Sequence, residues 1–272
     1  DKELMTELLK DADVLNHQAS AVGVGQSMYE IEKYVEVNTL ATARILDIIV
    51  NEGIDLEKII VASSMSIYGE GAYRCPEHDE IRHPSLREEE QMTAGQWEHV
   101  CPDCGTELVP VPTSESKPRE STSVYAISKK DQEELTLSVC RAYGIPAVAL
   151  RYFNIFGPHQ DPNGSYAAVI PKFIGLMQNG DRPVIYGDGE QSRDFTYIDN
   201  AIGANIRAAE SDVSGETFNV GCGGRQTVNE LVETLNEKLG TELDPIYDDP
   251  RPGDVRHSMA DISKARKLLD YE

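Results

Sequence analysis

"KIIVASSMSIYG", residues 58–69, decides the fold. Its first half is a short apolar run rich in β-branched residues, the pattern of a central strand in a parallel sheet. Its second half is a cluster of hydroxyls. Ligands of open α/β sheets gather at the carboxyl ends of strands. Ser64 is therefore placed to hydrogen-bond a reacting hydroxyl. A serine in that position also serves as a cap or turn residue, so alone it decides no chemistry.

Working outward, "ADVLNHQAS" (12–20) reads as a buried strand leading into a loop. Residues 3–10 look like the end of a short helix. Residues 29–51 read as a long helix, with Ile31, Val35, Ile45, Ile48 and Ile49 among its apolar positions and Gly53 closing it. Downstream, residues 125–142 form another helix and "PAVALRYFN" (146–154) another buried strand. This alternation indicates a doubly wound parallel sheet. Beyond residue 155 the pattern is mixed: helices near 168–179, 198–210 and 227–239, with "PVIYGDG" and "TFNVG" between them. That suits a smaller C-terminal α/β lobe. The expected division is a sheet domain over 1–154 and a substrate-binding lobe over 155–272, with segments near 194–222 returning to the sheet. Residues 71–114 break the alternation with prolines, charges, three cysteines and three histidines. They read as an insertion.

A hydrophobic content of 40% over 272 residues affords a sizeable core. The formal charge of -22 argues against nucleic acid, which needs a basic stripe. An anionic ligand would have to be met by a few local arginines. No apolar run is long enough to span a membrane. The acidic, helical start is unlike a signal peptide. Five cysteines, an odd count, suggest a reducing cytoplasm and no disulfide framework.

Tyr125 and Lys129 lie four apart on one helix face. A neighbouring ammonium favours the phenolate, so the spacing predicts a lowered Tyr125 pKa and a usable base. Taken alone the pair is also compatible with an ordinary surface Tyr/Lys contact. Cys101 and Cys104 form a CxxC with the knuckle spacing of structural zinc sites. Cys75 and His78, in "CPEH", repeat that spacing and complete a Cys3His set, with His83 or His99 as substitutes. The alternative is four residues that merely share one loop. Cys140 and Cys222 read as core or strand-end residues.

Taken together, the motifs resemble an extended short-chain dehydrogenase/reductase of the nucleotide-sugar epimerase group. The matching pieces are "NHQAS", "VNTLATARIL", "SSMSIYG", "YAISK", "LRYFNIFGP", "YGDGEQSRDFTYIDNA" and "RPGDVRHSMAD", in the family's order. The resemblance implies a Rossmann-like sheet, bound NAD, a nucleotide-diphosphate sugar as substrate, and 4-epimerisation through a 4-keto sugar. It assigns catalysis to Ser64, Tyr125 and Lys129, with Ser66 assisting and Asn38 in support. It assigns the cofactor to Ala19, Ser20 and Phe153 beside Tyr125 and Lys129, and the diphosphate to Asn154, Arg193 and Arg256. Arg193 has an alternative partner in Asp194. Dehydratases of the family carry an Asp-Glu pair where this chain has Met65 and Ser66, which disfavours dehydration. A 4-reductase or a non-catalytic nucleotide-sugar binder are the other readings. The family's glycine-rich phosphate loop is missing: in "VGVGQSM" (22–28), Met28 stands at the third glycine position. By the family pattern about 60 residues, three strands of the sheet, would precede Asp1, so a fragment is expected. The insertion is similar to one in a subgroup that includes dTDP-L-rhamnose 4-epimerases. Helices 29–51 and 125–142 resemble the pair that makes four-helix homodimer interfaces in the family.

Overall fold

The structure, a computed structural model, describes residues 1–161, 168–251 and 253–272. Four parallel strands form the central sheet, in chain order across it: β1 (Val14–His17), β2 (Lys58–Ser64), β3 (Ala147–Tyr152) and β4 (Glu216–Val220). Helices α1 (Ala41–Asn51), α2 (Val124–Tyr143), α3 (Ile198–Glu210) and α4 (Ser263–Leu269) pack against it. All of β2 is buried, as its unbroken apolar run requires. Neighbouring strand residues face opposite sides. Ile59 and Ala147 pack with Leu46 and Ile49 of α1 and Cys140 of α2. Ile60, Val148 and Phe218 pack with Ala201, Ala204 and Ala208 of α3 and Leu269 of α4. Burial of each large side chain in these two layers contributes about 1.5–3 kcal/mol.

The helix read over 29–51 begins at Ile31, and its middle, Val35–Leu40, is a π-helical segment running into α1. Sequence periodicity does not distinguish that wider turn. It falls around Asn38, whose amide carbonyl accepts from the Ala21 N–H at 2.7 Å and whose NH2 donates to the Ala21 carbonyl and the Ser128 hydroxyl. π segments of this kind concentrate at functional sites.

In the C-terminal part, helices Val169–Gln178 and Val228–Leu239 close on Phe173, Met177, Ile185 and Leu231. Of the lobe expected over 155–272, residues 162–167 and 252 lie outside the described residues, and Glu216–Val220 is a strand of the main sheet. The insertion has order of its own. Ala72–Cys75 is the centre of a three-stranded antiparallel sheet, flanked by Glu80–Arg82 and Val109–Val111, with a short helix at Glu89–Thr93. Its buried core is small: Tyr73, Cys75, Cys101 and Leu108.

Candidate active site

The start of α2 carries two of the residues singled out in the sequence, Tyr125 and Lys129. Ser123 caps the helix, its hydroxyl accepting from the Ala126 N–H at 3.1 Å, and Gly144 ends it in the left-handed region at φ 73°. Tyr125 therefore sits in the first turn and Lys129 one turn on. Ser64, the last residue of β2, caps a short 3-10 turn through the Ser66 N–H at 3.1 Å. The Ser64 hydroxyl also donates to Ser66 Oγ at 3.2 Å. Ser64 is a hydrogen-bonding neighbour of the Tyr125 phenol and pulls its pKa down, but burial pushes it up and prevails. The Tyr34 ring meets the Tyr125 ring edge-on at 6.3 Å. This corrects the expected acidic phenol: the desolvation cost of a phenolate outweighs the favourable neighbour.

Lys129 is instead the end of a buried polar chain. Its ammonium donates to Gln132 Oε1 at 2.7 Å. The Gln132 amide nitrogen lies 2.9 Å from Thr42 Oγ1 and 3.2 Å from His17 Nε2, and the Thr42 hydroxyl donates to the Asn38 carbonyl. Burial lowers the Lys129 pKa to about 8, against a smaller opposing pull from Glu133. Burial, with Lys129 adding to it, lowers His17 to about 4, so its imidazole is neutral. Among the described residues only Gln132 is bonded to Lys129 Nζ, which has three donors.

A second buried network fixes α2 on the sheet. Glu133 accepts from Arg151 Nε at 2.9 Å and from the Ser63 hydroxyl at 2.6 Å. Arg151 also donates to Tyr68, whose hydroxyl donates to Asn219. The helix, three strands and the 3-10 turn carrying Tyr68 are thereby locked together.

Of the other residues singled out in the sequence, Ala19 is exposed and Ser20 half-buried just past β1. Phe153 is 2% exposed and packs on Tyr68 in the core, so its side chain does not face an open site. Asn154 adopts φ 25°, an uncommon backbone state for a non-glycine residue. Its NH2 is spent on Ser258 Oγ, the Asp194 carbonyl and Met65 Sδ. Arg193 pairs with Asp254 at 2.7 Å and not with Asp194, whose carboxylate accepts from the N–H groups of Cys222, Gly223 and Ala260. Arg256 is engaged by carboxylates within the protein. It is 3% exposed, and its guanidinium is forked between Asp188 at 2.7 Å and Glu98.

A cleft of about 500 Å³ lies beside the loop that follows β1. Gly23 and Val24 line it, and across from them are Lys172, Tyr186, Arg193 and Arg251. Arg251 stacks on the Tyr186 ring at 3.7 Å. Arg251 and Lys172 were missed in the sequence. Arg251 shares the "RPGDVR" stretch (251–256) with Arg256, the residue singled out in the sequence, and its place before a Pro-Gly pair was the available signal.

The insertion gathers a distinct group. Ligand atoms of Cys75, His78, Cys101 and Cys104 all lie within 4.8 Å of one another. Cys75 Sγ is 3.3 Å from His78 Nδ1 and 3.6 Å from Cys104 Sγ, and Cys101 Sγ is 3.7 Å from His78 Nδ1. No disulfide joins them. Backbone N–H groups, that of Asp103 first, lower the Cys101 thiol, and the Thr106 side chain and N–H lower Cys104, while burial raises Cys75. His83 is exposed outside this group, and His99 turns to Glu70 at 3.2 Å.

Residues 1–91 and 99–221 match the model of the NAD dependent epimerase/dehydratase family. The chain belongs to this family. The family member from Burkholderia thailandensis named dTDP-L-rhamnose 4-epimerase is 30% identical over 261 residues, covering 96% of this chain and 70% of that one. Among solved family members, a UDP-N-acetylglucosamine 4-epimerase from Methanobrevibacter ruminantium, in complex with UDP-N-acetylmuramic acid, superimposes with a TM-score of 0.80 at 36% identity. That match covers 98% of this chain and 73% of the other. A UDP-glucuronic acid 4-epimerase from Bacillus cereus, holding UDP-glucuronic acid and NAD, gives a TM-score of 0.75 at 29% identity, over 98% of this chain and 72% of that one. Among the described residues no helix is long and apolar enough to cross a membrane.

Proposed function

We propose that this protein is a nucleotide-sugar 4-epimerase acting through a 4-keto sugar with NAD held in the sheet domain. The observation that carries the reading is the pairing of the Ser64 hydroxyl with the Tyr125 phenol at the end of a fully buried parallel strand, with Lys129 one helical turn on. NAD, held beside Ala19, Ser20 and Lys129, would supply the hydride chemistry at sugar C4. The chain's own residues handle the proton. Ser64 hydrogen-bonds the C4 oxygen and orients it. Burial holds Tyr125 protonated, the form that donates to the 4-keto oxygen on the return step. The phenolate, base of the first step, depends on positive charge beside it, and Lys129 is the nearest cation on its helix face. Ala19 and Ser20 would hold the nicotinamide end of NAD. Lys129, with a single protein acceptor for three donors, fits the ribose hydroxyls of that end. Met65 and Ser66 offer no acid or base beside Ser64, so elimination of water lacks its catalytic pair.

Arg193 and Arg251, with Lys172, are the diphosphate ligands of this reading, in place of Arg256; charge and the guanidinium fork suit that role. The Cys75, His78, Cys101 and Cys104 group would hold a structural zinc. A tetrahedral site with Zn–S about 2.3 Å and Zn–N about 2.0 Å sets ligand atoms about 3.5–3.8 Å apart. Three of the six separations, 3.3, 3.6 and 3.7 Å, lie near those of that polyhedron, and all six are within 4.8 Å. Thiols without disulfides suit a cytoplasmic setting. The residues of the 31–51 helical run and of α2 that stay exposed, Ile31, Val35, Leu40 and Ile127 among them, suit a helical homodimer interface.

Incubation with a panel of UDP- and dTDP-sugars, with separation of the products, tests the reading. C4 epimers without added cofactor support it. Turnover only with added NADPH, giving reduced sugars, would establish the reductase instead.

A further inference from the structure

The insertion reaches the C-terminal segment beside the cleft. Arg87 donates to the Trp97 carbonyl at 3.1 Å and to the Asp254 carbonyl at 2.9 Å. The Trp97 ring covers Gly187, where an added Cβ would meet it at 3.4 Å. Glu98 accepts from Arg256 Nε at 2.7 Å and lies 3.2 Å from His257 Nε2. Two insertion residues, Arg87 and Glu98, thus hold the segment 254–257. That segment in turn holds Arg193: its guanidinium donates to the Arg256 carbonyl at 3.2 Å, to the Ser192 carbonyl at 2.9 Å, and to the Asp254 carboxylate at 2.7 Å. Arg193 lines the cleft and Glu98 does not.

From this chain of contacts we infer that Glu98 is a positioning residue for the anion-binding arginine. Through Arg256 and His257 it fixes the carbonyls and the carboxylate that aim Arg193 into the cleft, so the insertion sets nucleotide-diphosphate affinity without touching the ligand. The inference rests on the diphosphate role proposed for Arg193. Arg256 is buried with two carboxylates on its fork. Neutralising Glu98 leaves Asp188 the sole carboxylate on that fork and strips His257 of its charged neighbour, which lets the segment shift. A displacement of Arg193 smaller than its own fork suffices to lose a bidentate contact.

The test uses Glu98→Gln and Arg193→Ala, with UDP and dTDP binding by calorimetry and steady-state kinetics on the turned-over sugar. Glu98→Gln is expected to bind the nucleotide about tenfold more weakly. Its KM should rise in step while kcat stays within about twofold of the parent. Wild-type affinity in Glu98→Gln, alongside lost affinity in Arg193→Ala, overturns the inference and leaves the proposed function standing. So does a fall in kcat with KM unchanged. Wild-type affinity in Arg193→Ala removes the diphosphate site itself, and the inference with it. If Glu98→Gln does not fold, Arg87→Met, which removes the donors to the Trp97 and Asp254 carbonyls, is read by the same criteria.

Discussion

The sheet end and the insertion are held together in different ways. At the sheet end, Ser64 closes a strand buried over its whole length, and Tyr125 and Lys129 ride a helix of 20 residues that is capped at both ends. Two buried polar networks, around Glu133 and Gln132, pin that helix to the strands beneath it. The insertion has strands of three or four residues and a core of four buried side chains. So little apolar burial cannot offset the ordering entropy of some forty residues. Ion pairs take over part of that task, and the zinc proposed for the Cys75, His78, Cys101 and Cys104 group would supply the rest. The difference teaches that one fold can join a scaffold stabilised by packing to a segment stabilised by point contacts.

The largest effect expected from breaking the comparison is chemical. Tyr125→Phe should lower kcat by about 10²–10⁴-fold, with little change in thermal stability, because only a proton carrier is lost. Rate and unfolding measurements on the same preparation check this. Cys101→Ser should do the reverse in kind. Purified protein should lose stoichiometric zinc by elemental analysis, and Tm should fall by roughly 5–10 °C. Hydrogen exchange should rise across 72–111 before it rises in α2.

The third effect is in pH. The folded pKa of His17, about 4, lies below its unfolded value of 6.5. Between those values the unfolded chain binds the proton and the folded one does not. Stability is therefore intact above pH 6.5 and falls as pH drops toward 4. The loss amounts to on the order of 3 kcal/mol. Denaturation midpoints of the parent and His17→Gln should diverge across that window and run parallel above it. A fourth and smaller effect is expected from Gln132→Leu. It takes away the acceptor of the Lys129 ammonium and leaves His17 and Thr42 without their amide partner, costing about 2 kcal/mol. The Lys129 pKa, already near 8, should drop further and carry the alkaline limb of the rate profile to lower pH.

How much of this was legible in the sequence follows from the same contrast. β2, α2 and β3 announced themselves because each buries a periodic or unbroken apolar pattern, and pattern survives in one dimension. Ser64, Tyr125 and Lys129 came with them, since strand end and helix start fix where such side chains stand. The Cys and His spacing of the insertion was readable for a similar reason, as knuckles are local. Its three-stranded sheet was not, because strands this short carry too few residues to show a period. Glu98 left no trace either: it meets Arg256 across 158 residues of chain, and an ion pair at that separation has no sequence signature. The same blindness hides the surroundings of Arg256 and Arg251, five residues apart in one stretch yet turned to a half-buried carboxylate pair and to the cleft. The Tyr125 shift failed for an energetic reason, because the burial that opposes ionisation is set by the whole fold.

The central claim is that one C4 hydrogen leaves and returns within the site while Tyr125 carries the proton. It is tested most directly by turnover of a UDP- or dTDP-sugar in D2O followed by proton NMR. The account predicts a C4 epimer whose C4 hydrogen is retained as protium. Deuterium at C4 of the product, or a sugar left unepimerised under conditions where NAD and nucleotide are both bound, would contradict it.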